Sequence, residues 1–270
     1  LLGTSAFFIQ NQNVLLSMKK QRLAYTSLPL LLMALFFLTA CGGGDQSAED
    51  TADEEMTAAA STETDADADG EWRVLFGGDN LNGWHSYNQD KLVGWSIEDG
   101  ALTNVAEGGT DLASDEEFED FELSFEWKVP ENGNSGLMFR VVESDEYNHP
   151  WQTGPEYQLL DDYSAGFKEN LKPSQFAAAN YDMEAPAKSV SHSTGEWNEG
   201  RLIVNGNHVE HWLNGEKVIE YELGSDSWKE QVQNSKWKQH PGYGKAPSGH
   251  LVFQGDHTKV WLRDIKIKTL

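Results

Sequence analysis

Between Phe121 and Val129 the chain reads FELSFEWKV, with Phe121, Leu123, Phe125, Trp127 and Val129 alternating against Glu122, Ser124, Glu126 and Lys128. A period of two places the first set on one face of an extended segment and the second set on the other. The stretch GRLIVNGNHVEHWLNGEKVIEYEL repeats the pattern, interrupted at Asn205-Gly206-Asn207 and Asn214-Gly215. Asparagine and glycine tolerate the positive φ of tight hairpins, so these positions predict turns between strands. The closing segment alternates Val260, Leu262, Ile265 and Ile267 with polar partners, given one slip near Asp264. Many short strands bounded by turn residues predict an all-β fold of two packed sheets. One helical excursion interrupts it: Ser227 with Glu230 forms a capping box, and Trp228, Val232 and Trp237 share a side before Pro241. No repeat of fixed period appears.

Strands that pack one face on a core leave every second residue for the other face. NSGLMFRV places Gly136, Met138 and Arg140 opposite Leu137, Phe139 and Val141, and PEYQLL places Glu156 and Gln158 opposite Tyr157 and Leu159. GHLVFQGDH places His250, Val252 and Gln254 opposite Leu251 and Phe253, before Gly255 breaks the register and frees Asp256 and His257. If these strands are neighbours, a cleft built from Lys128, Arg140, Glu156, Gln158 and Gln254 follows.

The region upstream reads differently. Met18 opens a basic stretch of Lys19, Lys20 and Arg22, followed by the apolar run LPLLLMALFFL, which predicts a secretory signal over 18–40 and marks residues 1–17 as translated upstream sequence. Cys41, the only cysteine, closes LTAC ahead of GGG and matches a bacterial lipobox, which predicts a lipidated residue and an outer-membrane anchor facing periplasm or cell surface. With one cysteine there is no disulfide framework. From Asp45 to Asp69 the chain has ten acids, no base and no aromatic residue, the composition of an unfolded tether within 41–70. With that tether and the leader's three bases set aside, the formal charge of −24 leaves about −17 on residues 71–270. Such a surface repels nucleic acid and anionic lipid, so membrane contact is expected through the anchor alone. All ten tryptophans lie in this domain, and aromatic faces suit the apolar faces of pyranose rings.

GPEYQLLDD tests one kind of sugar chemistry. Retaining laminarinase-type glucanases use a strand motif Glu-x-Asp-x-x-Glu, in which a bulge returns the last acid to the cleft. Their two carboxylates stand about 5–5.5 Å apart as nucleophile and acid. Here Glu156 matches, but Gln158 replaces the central acid and the shorter Asp161 the last. A glutamine does not tune a neighbouring pKa as a carboxylate does, which disfavours the two-carboxylate hydrolase. A lectin-like binding module remains a second alternative, since one sandwich fold hosts both functions.

The segments LFGGDNLNGW, WSIEDGALTN, EDFELSFEWKV, NGNSGLMFRV, TGPEYQLLDD, GEWNEGRLIVNGNHVEHWLNG and GHLVFQGDHTKVWLRDIKIKTL, in that order, resemble the bacterial 3-keto-disaccharide hydrolase family across about residues 71 to 270. The resemblance implies a two-sheet concanavalin-like jelly roll, exported, acting on glycosides whose C3 hydroxyl has been oxidised to a ketone. An upstream sugar oxidoreductase is then an expected partner, and an oligosaccharide or glycoside the substrate. A ketone at C3 acidifies C2–H, so a base can form the enolate and the C1 group can leave by β-elimination, with water adding afterwards.

On this resemblance Glu156 or His257 transfers the proton and Arg140 stabilises negative charge through its fixed fork of donors. Gln158 and Gln254 hold sugar hydroxyls, while Asp161, Tyr181 and Asp182 line the rim; Lys128 and Asp256 complete the substrate contacts. Family members often read LQDHG where this chain has FQGDHT, so Gly255 displaces Asp256 and His257 relative to Gln254. The residues single out no cofactor, and a divalent metal stays open. Glu156, Asp161, Asp256 and His257 are suitable ligand types for a divalent metal that polarises the ketone, but no spacing such as His-x-x-x-His selects one.

Overall fold

A computed structural model describes residues 70–270 apart from 107 and 165–168, so the leader, Cys41 and the acidic tether lie outside the described residues. The alternating segments form two antiparallel sheets. In the larger, the order is β11 (Glu216–Glu222), β10 (His208–Leu213), β9 (Asn198–Asn205), β6 (Phe121–Lys128), β13 (Trp261–Thr269), β4 (Ala101–Asn104) and β3 (Trp95–Glu98), with β1 (Arg73–Phe76) also pairing β13. The smaller runs β2 (Trp84–Ser86), β5 (Leu112–Phe118), β12 (Gly249–Phe253), β7 (Asn134–Val141) and β8 (Glu156–Leu160). Among the described residues no helix is long and apolar enough to cross a membrane.

The period-two pattern decides which residues meet between the sheets. Leu123, Phe125 and Trp127 of β6 join Leu202, Leu262 and Ile267 from their neighbours, against Leu137, Phe139, Tyr157, Leu159, Leu251 and Phe253 of the smaller sheet. Phe125 packs edge-on against Tyr157 at 5.6 Å and Phe253 at 5.9 Å. Each such fully buried side chain contributes roughly 1.5–3 kcal/mol, so the sandwich rests on this layer. The hairpins fall where expected: Asn214 and Gly215 take φ of 49° and 79°, and Gly206 takes 59°. The slip near Asp264 is a bulge, with φ of 50° and a register shift between Arg263 and Lys266.

The helix, α1 (Asp226–Asn234), begins one cap earlier than the sequence predicts. Ser225, not Ser227, is the N-cap, its hydroxyl accepting the Trp228 N–H, and Ser227 falls inside the first turn. Ser235 ends the helix and caps a separate 3-10 turn, Lys236–Gln239, by accepting the Trp237 N–H. A stack of nearly parallel rings fixes this excursion: Tyr221 on Trp228 at 5.3 Å, Trp228 on Tyr243 at 5.8 Å, and Tyr243 on Trp237 at 4.6 Å.

Two residues expected in the cleft are elsewhere. Arg140 sits at φ 51° in a bulge of β7, where Met138 pairs with Val252 but Val141 already pairs with His250. The extra residue turns Arg140 off the Gly136–Met138 face. Its buried guanidinium donates to the carbonyls of Glu119 and Gly206 and to Asp120, tying the β5–β6 turn to the β9–β10 turn. Lys128 belongs to the larger sheet and points outward, its Nζ 4.8 Å from the Trp197 ring and 4.9 Å from that of Trp261.

Replacing Arg140 by Gln removes charge-assisted bonds that a neutral amide cannot span, with an expected loss of about 2–4 kcal/mol in urea denaturation. Turnover per folded molecule is expected to stay unchanged, whereas a catalytic Arg140 would show the reverse: lost turnover with stability intact.

Candidate active site

The outer face of the smaller sheet is partly sealed. Ala113, Met138, Val141 and Val252 gather there with Tyr87 into a second, small apolar cluster against which Trp151 packs. Toward β8 the face opens into a polar cleft of about 240 Å³. Glu156 and Gln158 line it from β8, Asn134 from the start of β7, and Gln254 and His257 from the loop after β12. Trp151, Tyr181, Lys236, Trp237, Gln239 and His240 complete the lining.

Strand geometry puts the polar pair there. Tyr157 and Leu159 point into the core, so Glu156 and Gln158 point out. Although β8 ends its sheet, it is not bare: the Gln158 N–H donates to Ala179, Ala178 donates to Gln158, and Tyr181 donates to Glu156. That backbone pairing delivers the Tyr181 ring to the cleft. Glycine at 136 is demanded by the site, because a Cβ there would stand 1.9 Å from Glu156 Oε1. The carboxylate therefore lies across β7 at its one side-chain-free position.

Glu156 is 5 % exposed, and among the described residues its carboxylate has no hydrogen bond or ion pair. Burial pushes its pKa up to about 7, with Lys236 and His257 pulling it down and Asp111 and Asp256 adding to the rise. The hydrogen bond from His257 Nδ1 to Asp256 Oδ1 raises the imidazole and lowers the carboxyl. Asp111, which accepts the Gly255 N–H at 3.0 Å, is pushed by burial to about 6. For Lys236, an exposed residue whose ammonium lies against two rings, desolvation lowers the pKa against the opposing pull of Glu156 and Asp182.

Gln158 has a fixed polarity. Its Nε2 donates to Asn134 Oδ1 at 2.6 Å, while its Oε1 is buried without a partner. Gln254 is held through its backbone, donating to the Gly136 carbonyl and accepting from Ser135 Oγ, with its side chain left at the cleft. Gly255 packs so closely on the Thr110 carbonyl that a Cβ would meet it at 2.1 Å. His257 lines the cleft despite the departure from LQDHG.

Asp161 does not join the site. It accepts from the backbone of Asn132 and Tyr163 and from the hydroxyls of Ser164 and Thr194, anchoring a loop. Among the described residues Glu156 is the only carboxylate lining the cleft, so the laminarinase-type pair is not built. Asp182 lies outside it, bordering a separate surface depression and paired with Lys172 at 3.6 Å. Asp256 is exposed and touches the site through His257. Nor do Glu156, Asp161, Asp256 and His257 gather as metal ligands; among the described residues the converging group is His208, Glu210 and Glu220 on β10 and β11. Lys236, Asn134, Trp151 and His240 were not selected from the sequence. The usable signal for Lys236 was Ser235, a second capping residue where one continuous helix was expected.

The sandwich and its aromatic-walled, carboxylate-bearing cleft define a carbohydrate-active enzyme of concanavalin-like fold. A family model described as 3-keto-alpha-glucoside-1,2-lyase-like domain matches residues 71–268, and the chain belongs to that family. A 3-keto-disaccharide hydrolase of Bacteroides thetaiotaomicron is 31% identical over 238 residues, covering 78% of this chain and 82% of its own. The crystal structure of a candidate glycosyl hydrolase from Parabacteroides distasonis is 36% identical with a TM-score of 0.69, covering 74% of this chain and 94% of that one. A second from the same organism is 26% identical with a TM-score of 0.60, covering 74% and 100%.

Because Glu156 titrates near 7 in the folded chain against 4.5 when solvated, the folded state holds the extra proton between those values. The contribution of Glu156 to stability is therefore fully present below about 4.5 and is lost as pH rises toward 7, by on the order of 3 kcal/mol at full charge. In Glu156→Gln the decline over this window should shrink, and stability at pH 8 should rise, in urea denaturation from pH 4 to 8.

Proposed function

We propose that this protein cleaves glycosides carrying a ketone at C3, by removing the C2 proton and expelling the C1 group. Glu156 carries the reading: a buried, unpaired carboxylate whose pKa sits at the working pH of a general base. A conventional retaining glycosidase needs a second carboxylate in the cleft. Elimination needs one base, a proton donor for the leaving oxygen and groups that orient the ring.

In this mechanism Glu156 takes the proton from C2, and the electron pair of that bond forms the enolate with the C3 ketone. As the enolate collapses, the C1–O bond breaks and the leaving oxygen takes a proton from His257, held as imidazolium by Asp256. Water then adds across C1 and C2, its hydroxyl going to C1, its other proton restoring the His257 imidazolium and the Glu156 proton returning to C2, giving net hydrolysis. The bare Gln158 Oε1 and the Gln254 amide hold ring hydroxyls, and Trp151 and Tyr181 supply apolar walls. The family match and the named activity of the Bacteroides relative support the substrate class. The leader, the LTAC-Cys41 context and the acidic tether support an exported lipoprotein, supplied by an oxidoreductase that dehydrogenates the C3 hydroxyl.

Incubation with a glucoside and, separately, its 3-keto form should release aglycone from the keto form alone, with deuterium entering C2 in heavy water. Glu156→Gln should lower that rate by about 10²–10⁴. Cleavage of the unoxidised glucoside, or release without C2 exchange, would sink the elimination; binding without release would identify a lectin-like module.

A further inference from the structure

Elimination through an enolate develops negative charge on the C3 oxygen, and none of the groups used so far is a cation placed to receive it. Arg140 is committed to the turns at the end of the sandwich. The cleft nevertheless has a lysine. Lys236 Nζ lies 4.4 Å from the centroid of Tyr181 and 4.3 Å from that of Trp237, and among the described residues it makes no hydrogen bond or ion pair. Ring faces attract an ammonium through their quadrupole without occupying its N–H donors. Its three donors therefore have no protein acceptor at the cleft that holds Glu156.

Both rings are themselves fixed. The Tyr181 N–H donates to the Glu156 carbonyl, and Trp237 Nε1 donates to the Tyr181 carbonyl at 3.1 Å. The cation's platform is thus bonded to the backbone of the base. Across the cleft, Gln158 offers the opposite polarity: one N–H of its amide is given to Asn134, and its oxygen is left buried without a protein donor. A ketone is an acceptor only, so it has no bond to make with that oxygen, whereas a hydroxyl has. The two groups sort oxidised from unoxidised carbons.

On the reading of function given above, we infer that Lys236 is a catalytic residue that donates to the C3 ketone oxygen and carries the enolate charge, while Gln158 accepts from a neighbouring hydroxyl. No covalent bond to the lysine is involved. Such a donor acts mainly in the transition state, so its removal acts on kcat more than on KM.

The test uses Lys236→Met and Lys236→Arg in the full chain with the 3-keto glucoside, following aglycone release, C2 exchange in heavy water and urea denaturation. Met is expected to lower kcat by about 10²–10³, with exchange falling in parallel and KM changing less. Arg, which keeps the charge and donors, is expected to recover part of the loss, and because Lys236 is exposed, both variants are expected to fold. Met retaining kcat within about threefold of wild type would overturn the role. So would a covalent adduct on Lys236 trapped by borohydride during turnover, since that marks an imine. If Met fails to fold, the Arg variant decides: a loss as deep as that expected of Met would overturn the charge argument. A wild-type protein that leaves the keto sugar intact would sink the functional reading itself, which distinguishes that failure from failure of Lys236.

Discussion

Tyr157 enters the core from β8 with its ring against Phe125, and its hydroxyl donates 2.8 Å to the Trp212 carbonyl of the opposite sheet. The apolar ring and the polar tip are both satisfied only in this inward orientation. Successive strand residues face opposite ways, so pinning Tyr157 inward pins Glu156 and Gln158 outward. A slip of one residue would bury two polar side chains and expose the tyrosine. The chemistry of the cleft therefore inherits its geometry from a core contact that never touches a ligand.

The sheets were readable because their residues obey a simple period. β6, the β9–β11 hairpins and the Asp264 slip in β13 all follow from alternation and turn residues. The same rule assigned Arg140 and Lys128 to the cleft, and it failed for two different reasons. At Arg140 a bulge adds a residue, and nothing in LMFRV announces it. At Lys128 alternation gave the right direction, outward, but does not say which of two sheets a strand joins. Asp161 lies just past the end of β8, where its carboxylate is captured by four donors, two from its own loop and two from segments distant in sequence. Lys236 was hidden because its place at the cleft depends on the Tyr181 ring and on the bond from Trp237 to the Tyr181 carbonyl, a tertiary relation between segments distant in sequence, and Ser235 marks only the break in the helix.

The cleft is also where the fold carries polar groups that the core would reject. Glu156 is unpaired, Gln158 keeps a bare oxygen, and the neighbouring Asn180 amide and Tyr243 hydroxyl have no protein partner. Each buried unsatisfied group costs about 1–3 kcal/mol, a sum that only an extensive apolar layer can offset. The uninterrupted packing of Phe125, Tyr157 and Phe253 beneath the site is what permits such a concentration. Stability and activity are consequently drawn from opposite faces of the same strands.

The short segment 178–181 has a mechanical consequence. By hydrogen-bonding along β8 it makes the wall that bears Tyr181 an extension of the sheet that bears Glu156. A wall of this kind does not swing like a loop on hinges, since moving it means unzipping a ladder. The two sides of the cleft are thus coupled as parts of one stiff plate, and a sugar entering it meets a gap whose width is set before arrival. Entry of a ligand then needs no closing motion of this wall, and widening it would require breaking the bonds of that ladder.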